Sequence, residues 1–308
     1  MQRNQSRTLN TLKNSSMSFV SYIVISIISF VTRTIFIYKL GAENLGLTGL
    51  FTSILSILSL AELGVGTAIV YFLYLPLAQK DNETVKALMN YYRRFYHRVA
   101  FFIFFIGIIL APFLQFLILE NINIWYLRAI FLMYIFDTAM SYLCSYKRSI
   151  LLADQKNYID TYYTLIFSLL KNIFQIVLLL TGCGFVVYLL IQLISNIAAN
   201  LYISARVDKL YPYLQTDKNL KVDPYMQKDI HKKVMGLLSS KIGTVIVSGT
   251  DNILIAGFAG IQLVGIYSNF SMIVNTISGI LGQITKPITA SVGNLNTEEE
   301  TEKKICCI

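Results

Sequence analysis

The sequence predicts an all-α protein, a multi-pass membrane bundle of about eight transmembrane helices. Three observations predict this class. Apolar residues make up 55% of the 308 residues and charged residues only 14%, whereas soluble globular chains carry about 25% charged residues. The apolar residues form eight runs long enough to cross a bilayer. Most Lys and Arg residues lie in every second connection between these runs.

Each apolar run is expected to be helical, because lipid offers no partner for backbone N–H and C=O groups. The first run follows sixteen mostly polar residues and is too long for the core of a cleavable signal peptide, so we interpret it as a retained span. The predicted spans are 17–38, 46–74, 99–119, 125–145, 161–181, 184–204, 235–258 and 263–285.

Basic residues set the predicted orientation. Of the 26 Lys and Arg residues, 21 lie in the alternate segments 1–16, 75–98, 146–160 and 205–234 and in the tail after 285. The intervening connections hold one basic residue, Lys39. Because basic connections stay in the cytoplasm, we expect a multi-pass membrane protein with both termini cytoplasmic. The net charge of +9 then reflects topology, and no nucleic-acid partner is expected.

Cysteine and histidine usage argues against a disulfide framework and a metal centre. The four cysteines, Cys144, Cys183, Cys306 and Cys307, have no framework or metal-ligand spacing. Two histidines in the whole chain are too few for a His-based metal site. We therefore predict neither a bound metal nor a cofactor.

The segment 82–98 leaves two interpretations open. Its apolar residues fall on one helical face, at Val85, Leu88, Met89, Tyr92 and Tyr96. The pattern is typical of an amphipathic helix that rests on an anionic leaflet, with membrane lipids as partners. A plain cytoplasmic extension of the second or third span explains it equally well.

An internal repeat relates the beginning and the end of the chain. Residues 34–66 align with residues 253–285 at an offset of 219, which matches the two glycines of each outer turn. Six spans separate the copies, so the repeats should be parallel and related by an axis along the membrane normal. The predicted organisation is a six-helix lobe 1–204, a cytoplasmic inter-lobe linker 205–234, the first two helices of a second lobe 235–290, and a polar tail 291–308.

Ionisable and amide side chains inside the predicted spans are the candidate site. A charge at the bilayer centre costs about 2.5–3.5 kcal/mol, so such residues tend to line a wet interior. A cationic cluster would suit an anionic headgroup such as a diphosphate, and an acid in the same space could carry a coupling proton or Na⁺. The candidate substrate-binding cations are Arg33, Lys171 and Lys241; the coupling or cavity acids are Glu62, Asp137 and Asp251; the polar residues are Gln175, Gln192, Asn196, Asn200 and Asn269.

Structural interpretations compete with this one. Arg33 and Lys241 could reach the nearest interface through their long stems. Glu62 and Asp137 could pair with buried cations for packing alone, and amide stripes can serve only to hold helices together. Lys171 is harder to explain in this way, because it lies at the middle of its span.

Several motifs resemble a known family, the bacterial polysaccharide flippases. These Wzx-type exporters of O-antigen and capsule repeat units belong to the multidrug/oligosaccharidyl-lipid/polysaccharide superfamily. The resemblance covers the chain to about residue 294. It is carried by Arg33-Thr34-Ile35-Phe36-Ile37-Tyr38-Lys39-Leu40-Gly41, Gly46-Leu47, Leu60-Ala61-Glu62-Leu63-Gly64, Tyr211-Pro212-Tyr213-Leu214, Asp251-Asn252-Ile253-Leu254-Ile255 and Ser291-Val292-Gly293-Asn294.

This resemblance implies two helical bundles around a V-shaped cavity. It also implies alternating-access export of undecaprenyl-diphosphate-linked oligosaccharide for lipopolysaccharide or capsule synthesis. Basic cavity residues would bind the substrate, and polysaccharide-assembly proteins would be further partners. Family members have more than eight spans, so we expect a truncated or frameshifted reading frame.

Other functions stay open beside this one. A multidrug or cation exporter of the same superfamily and a non-functional fragment are the alternatives. A membrane enzyme is disfavoured, because no outer connection exceeds about seven residues.

Overall fold

The computed structural model describes residues 2–62, 64–120, 122–216 and 220–282, and every regular element in these ranges is a helix. This confirms the predicted all-α membrane bundle. Six of the described helices are long and apolar enough to cross a membrane, and two shorter apolar helices accompany them. The main helices are α1 Gln2–Leu58, α2 Val65–Gln79, α3 Asn82–Leu110, α4 Ile124–Ala153, α5 Asn157–Leu180, α6 Phe185–Leu210, α7 Pro224–Ala259 and α8, described over Ile261–Gly282.

Helix α1 makes two passes because its backbone turns at Gly41. Gly41 has φ +82° and ψ +169°, a conformation that side chains disfavour. Before this turn, the Asn14 amide donates to the Gln155 carbonyl, 2.9 Å away, in the α4–α5 connection. Phe36 packs at the other end of the first pass, edge-on against Phe185 at the start of α6. The first pass therefore runs alongside α5, in the same direction.

The second pass of α1 runs alongside α4. Tyr126 and Tyr134 of α4 donate hydrogen bonds to Asn44 Oδ1 at 3.4 Å and to Thr48 Oγ1 at 3.1 Å. Both contacts advance along α1 and α4 in the same direction, so the chain has reversed after the turn. We call the membrane side that holds the α2–α3 and α4–α5 connections the basic side, and the other the opposite side. The basic side is the one predicted to be cytoplasmic.

The predicted span 46–74 is interrupted. After Leu58 the chain forms a short 3-10 helix, Ser59–Glu62, and α2 begins after Gly64, which has φ +86°. A side chain at Gly64 would meet Leu237 and Val234 of α7. The break therefore lies where the second pass packs against α7.

Helix α3 resolves the two interpretations of residues 82–98. It is one continuous helix from Asn82 to Leu110, and its apolar stripe packs into the core, with Tyr92 fully buried. The surface-lying amphipathic helix is therefore wrong, and the segment extends the third span. Asp81 caps this helix by accepting the backbone N–H and the hydroxyl of Thr84, and these bonds lower the pKa of the Asp81 carboxyl.

The two turns of the internal repeat share one backbone conformation. Gly41 and Gly260 are equivalent at the offset of 219, and Gly260 has φ +95° and ψ +159°, close to the values at Gly41. Each glycine reverses the chain between an outgoing and a returning helix. The matching glycines therefore form the same kind of turn in both copies of the repeat.

The two copies also contact each other reciprocally. A side chain at Gly46 would collide with the backbone carbonyl of Ile261, and one at Gly265 would collide with the carbonyl of Ala42. Ile261 and Gly265 are the repeat equivalents of Ala42 and Gly46, so each copy offers the same surface to the other. Such an exchange of equivalent contacts is what a two-fold relation produces, and glycine lets the helices approach closely.

The predicted linker 205–234 consists largely of helix. Helix α6 continues to Leu210, a 3-10 helix covers Pro212–Gln215, and α7 begins at Pro224. The division into lobes stays a prediction. The predicted tail 291–308 and residues 283–290 lie outside the described residues.

Candidate functional site

A polar cavity of about 360 Å³ lies between α4, α5 and α6. Its walls carry charged, amide and hydroxyl groups although all three helices are mainly apolar. This contrast identifies it as the candidate site, because polar side chains inside a membrane bundle face its interior. The polar wall residues are Asp137, Thr138, Ser141, Ser145, Arg148, Thr164, Ser168, Lys171, Ser195, Asn196 and Asn200.

Helix α4 supplies one continuous polar face to this cavity. Asp137, Ser141, Ser145 and Arg148 follow each other at intervals of four, four and three residues, which places them on one side of a helix. The Ser141 and Ser145 hydroxyls donate to carbonyls of their own helix. They therefore offer the cavity mainly acceptor lone pairs.

The Asp137 carboxylate is held by amides of α6. Asn196 Nδ2 lies 2.8 Å from Oδ2 and 3.1 Å from Oδ1, and Gln192 Nε2 lies 3.4 Å from Oδ2. These contacts use the predicted amide stripe of α6 and connect that helix to α4. Hydrogen bonds to both oxygens stabilise the ionised carboxylate in a buried position.

Lys171 of α5 faces the same cavity. Its ammonium interacts electrostatically with Asp137, but among the described residues no hydrogen bond or ion pair within 4 Å engages Nζ. Lys171 thus presents its charge to the cavity, while both oxygens of Asp137 accept amide hydrogen bonds from α6. The open charge of the polar cavity is positive.

Arg148 is a cavity cation that the sequence interpretation placed in a connection. Its guanidinium donates to Asn200 Oδ1 at 2.8 Å and to Thr164 Oγ1 at 3.4 Å, and it pairs with Asp160 at 3.1 Å. Helix α4 continues beyond the predicted span end, so Arg148 lies at the basic-side end of the cavity. The sequence did contain a signal for this position: Arg148 follows Asp137 by eleven residues, which is about three helical turns and places both on one face of α4.

Arg33 and Gln175 lie outside the walls of the polar cavity. The Gln175 amide is buried and donates to the Tyr188 carbonyl at 3.2 Å, and Arg33 interacts with the Tyr188 side chain. Tyr188 precedes Gln192 by one turn of α6 toward the opposite side. Arg33 Nε is buried, and no described residue forms a hydrogen bond with it.

The remaining acids are bound elsewhere. Glu62 accepts a 2.7 Å hydrogen bond from the Tyr96 hydroxyl at the break in the second pass. Asp251 of α7 accepts one of 2.9 Å from Tyr267 of α8. Of the predicted ionisable residues whose side chains the structure describes, Asp137 and Lys171 line the polar cavity, whereas Arg33, Glu62 and Asp251 lie outside its walls.

Two further predicted residues lie on the last helices. Asn269 is half-buried on α8. Lys241 belongs to α7, but its side chain falls outside the described residues. Their predicted roles, and those of the other candidate residues, stay predictions.

The polar cavity combines one open ammonium with amides and hydroxyls. Such a set of groups binds anions through charge-assisted hydrogen bonds. Over the described ranges, no three His, Cys, Asp or Glu side chains lie close enough together to hold a metal ion.

One comparison with known proteins gives a match. A family model described as "Polysaccharide biosynthesis protein" matches residues 11–290. This range extends from the first pass of α1 beyond the described end of α8, and it includes every wall residue of the polar cavity. No curated protein and no solved structure matches the chain.

Proposed function

Since the chain belongs to the polysaccharide biosynthesis protein family, we propose that it is a flippase for a lipid-linked oligosaccharide. The substrate is an undecaprenyl-diphosphate-linked repeat unit, carried between leaflets by alternating access. The proposal places the protein in a bacterial cytoplasmic membrane with both termini cytoplasmic and with polysaccharide-assembly proteins as partners. The activity is transport, without a chemical step on the substrate.

The observation that carries this proposal is the open positive charge of Lys171. A diphosphate in bare hydrocarbon would lose its hydration at a large energetic cost. A half-buried ammonium without a direct partner replaces part of that hydration. Arg148, at the basic-side end of the same cavity, is already paired with Asp160, so the proposal depends on Lys171.

The size of the polar cavity limits what it can hold. At about 360 Å³ it falls at the lower end of the range of about 300–1,000 Å³ for small-molecule pockets. It can take a diphosphate with adjoining sugar atoms, but a prenyl chain is far too large. In this proposal the headgroup enters the cavity and the prenyl chain stays in lipid.

Asp137 provides a means of coupling. A proton or Na⁺ at its carboxylate would neutralise the charge that opposes Lys171 and would thereby strengthen diphosphate binding. By linkage, bound diphosphate would raise the affinity for the coupling ion by the same factor. Glu62 and Asp251, each bound to a tyrosine, are the other candidates for this role.

A multidrug exporter is the second candidate function, because Asp137 could attract a cationic drug. Both carboxylate oxygens already accept amide hydrogen bonds, whereas Lys171 is open. This difference favours an anionic substrate.

Transport in liposomes tests the proposal. We expect the full chain to move a fluorescent lipid-diphosphate sugar between leaflets. Lys171→Gln should reduce the rate at least tenfold, because a hydrogen bond to a charged group contributes about 1.5–3 kcal/mol. The control Lys209→Gln removes the same charge from an exposed position at the end of α6 and should leave the rate unchanged. Equal rates for both variants, or transport of a cationic drug instead, would count against the proposal.

A further inference from the structure

A second cavity, of about 550 Å³, lies on the other side of α4. Residues of α3, α4 and α6 form its walls, and the short helix Pro212–Gln215 contacts both α3 and α6 at its basic-side end. We call this cavity the α3–α6 groove. It is separate from the polar cavity, because Lys147 lines the groove and the next residue, Arg148, lines the polar cavity.

The α3–α6 groove carries an uncompensated positive charge. Lys147 pairs with Asp208 of α6 at 2.6 Å, which uses the acid that faces the groove. Arg93 of α3 also lines the groove, and within the described residues no carboxylate lies within 4 Å of its guanidinium. His97, one turn along α3, adds an imidazole to the same wall.

An apolar strip leads from the groove toward the membrane centre. Leu143 and Lys147 line the groove, and Met140, Phe136 and Leu132 continue the same face of α4 at helical spacing. Phe136 and Leu132 are 41% and 39% exposed. The α4 wall of the groove therefore continues along the same helix face into an open apolar surface.

We propose that the α3–α6 groove binds an anionic phospholipid of the basic-side leaflet. The Arg93 guanidinium holds the phosphodiester, and an acyl chain lies along the apolar strip of α4. Basic recesses between transmembrane helices on the cytoplasmic side are suited to anionic headgroups, and Arg can engage phosphate through two parallel hydrogen bonds.

A lipid explains the groove better than a soluble phosphate compound does. A soluble anion would bind Arg93 but would make no contact with the apolar strip from Leu143 to Leu132. An anionic lipid matches both the charge and the apolar surface, because Arg93 of α3 and Leu143, where the apolar strip of α4 begins, line the same groove. This proposal is independent of the transport proposal, because it involves neither Lys171 nor Asp137.

Native mass spectrometry of the detergent-solubilised full chain tests the proposal. Short-chain phosphatidylglycerol should bind at least tenfold more tightly than phosphatidylcholine of equal chain length. Arg93→Gln should remove that preference, while Arg93→Lys should keep part of it. The matched control is Arg98→Gln, on the same helix but exposed, and it should keep the full preference. Glycerol 3-phosphate, which is the headgroup without acyl chains, should compete only weakly.

A second measurement needs no substitution. Cys144 lines the groove, so bound phosphatidylglycerol should slow its reaction with a thiol reagent, as read by peptide mapping, and Cys183 should react at an unchanged rate. Four results would each overturn the proposal. Two concern selectivity: equal binding of both lipids, or an equal loss of the lipid preference in Arg93→Gln and Arg98→Gln. The others are strong competition by glycerol 3-phosphate and a Cys144 that bound lipid does not protect.

Discussion

The charges of Asp137 and Lys171 should be energetically coupled, and a double-mutant cycle measures this. Asp137→Asn keeps a side chain that can contact Asn196 but leaves Lys171 without an opposing charge. Breaking a buried ion pair costs about 3–5 kcal/mol. Because this pair has no direct contact within 4 Å and borders a polar cavity, we expect about 2–3 kcal/mol.

Lys171→Met should cost less. Asp137 would keep its three amide contacts, and the apolar side chain occupies a similar volume, so we expect about 1 kcal/mol. The double variant contains neither charge. Its loss should also be about 1–1.5 kcal/mol, well below the sum of the two single losses, because no unpaired charge remains.

Denaturant titration of the solubilised full chain, followed by helical circular dichroism, gives the four free energies of unfolding. The predicted coupling between the two positions is about 2 kcal/mol. Asp137→Asn combined with Lys209→Met is the control, since Lys209 is exposed, and its effects should add. Additivity within about 0.5 kcal/mol for Asp137 and Lys171 would refute the electrostatic argument.

Three further predictions concern the fold. Gly265→Ala should lower the free energy of unfolding by about 1–3 kcal/mol, because its Cβ would meet the backbone of Ala42. The control Gly257→Ala, which has open space around it, should not destabilise the chain. Equal shifts of the melting temperature in the two variants would contradict the close approach of the two helices. Tyr96→Phe removes the hydrogen-bond donor to Glu62 and should cost about 1.5–3 kcal/mol in denaturant titration; an unchanged midpoint would contradict that contact. Cys183, in the α5–α6 turn, should react with a membrane-impermeant thiol reagent in intact cells, and reaction only after lysis would reverse the predicted orientation.

Apolar runs were sufficient to predict an all-helical membrane bundle. They could not predict the break after Leu58, because the short helix Ser59–Glu62 lies inside one continuous apolar run. The contacts at the break come from elsewhere in the fold: Glu62 accepts a hydrogen bond from Tyr96, and Gly64 packs against α7. The glycines of the two outer turns predicted a structural relation between distant parts of the chain. Equal spacing in the two repeats predicted a shared turn, and Gly41 and Gly260 share their backbone conformation.

Which charges meet was harder to predict than which charges are buried. The depth of a residue in the membrane follows from its position along the span. Which cavity or helix its side chain faces depends on how the neighbouring helices pack. The sequence grouped Asp137, Lys171 and Arg33 as interior charges, and the structure puts the first two, but not Arg33, in the walls of the polar cavity. Arg148 was missed because a hydropathy window ends a span before its last polar turns, although α4 continues to Ala153.

The stripe of α3 shows a related limit. Apolar spacing of 3.6 residues is the same for a helix on a lipid surface and for a helix packed on protein. The structure distinguishes them, because Tyr142 of α4 stacks on Tyr96 and Tyr92 is fully buried, while Arg93 lines the α3–α6 groove.

Binding of a short polyprenyl diphosphate to the solubilised full chain tests the role of Lys171 most directly. Titration should give an affinity at least tenfold higher than for the corresponding uncharged prenyl alcohol. Lys171→Gln should abolish this difference, and Lys171→Arg should retain most of it. Equal affinities of the wild-type chain and Lys171→Gln for the diphosphate would contradict an anion-binding polar cavity.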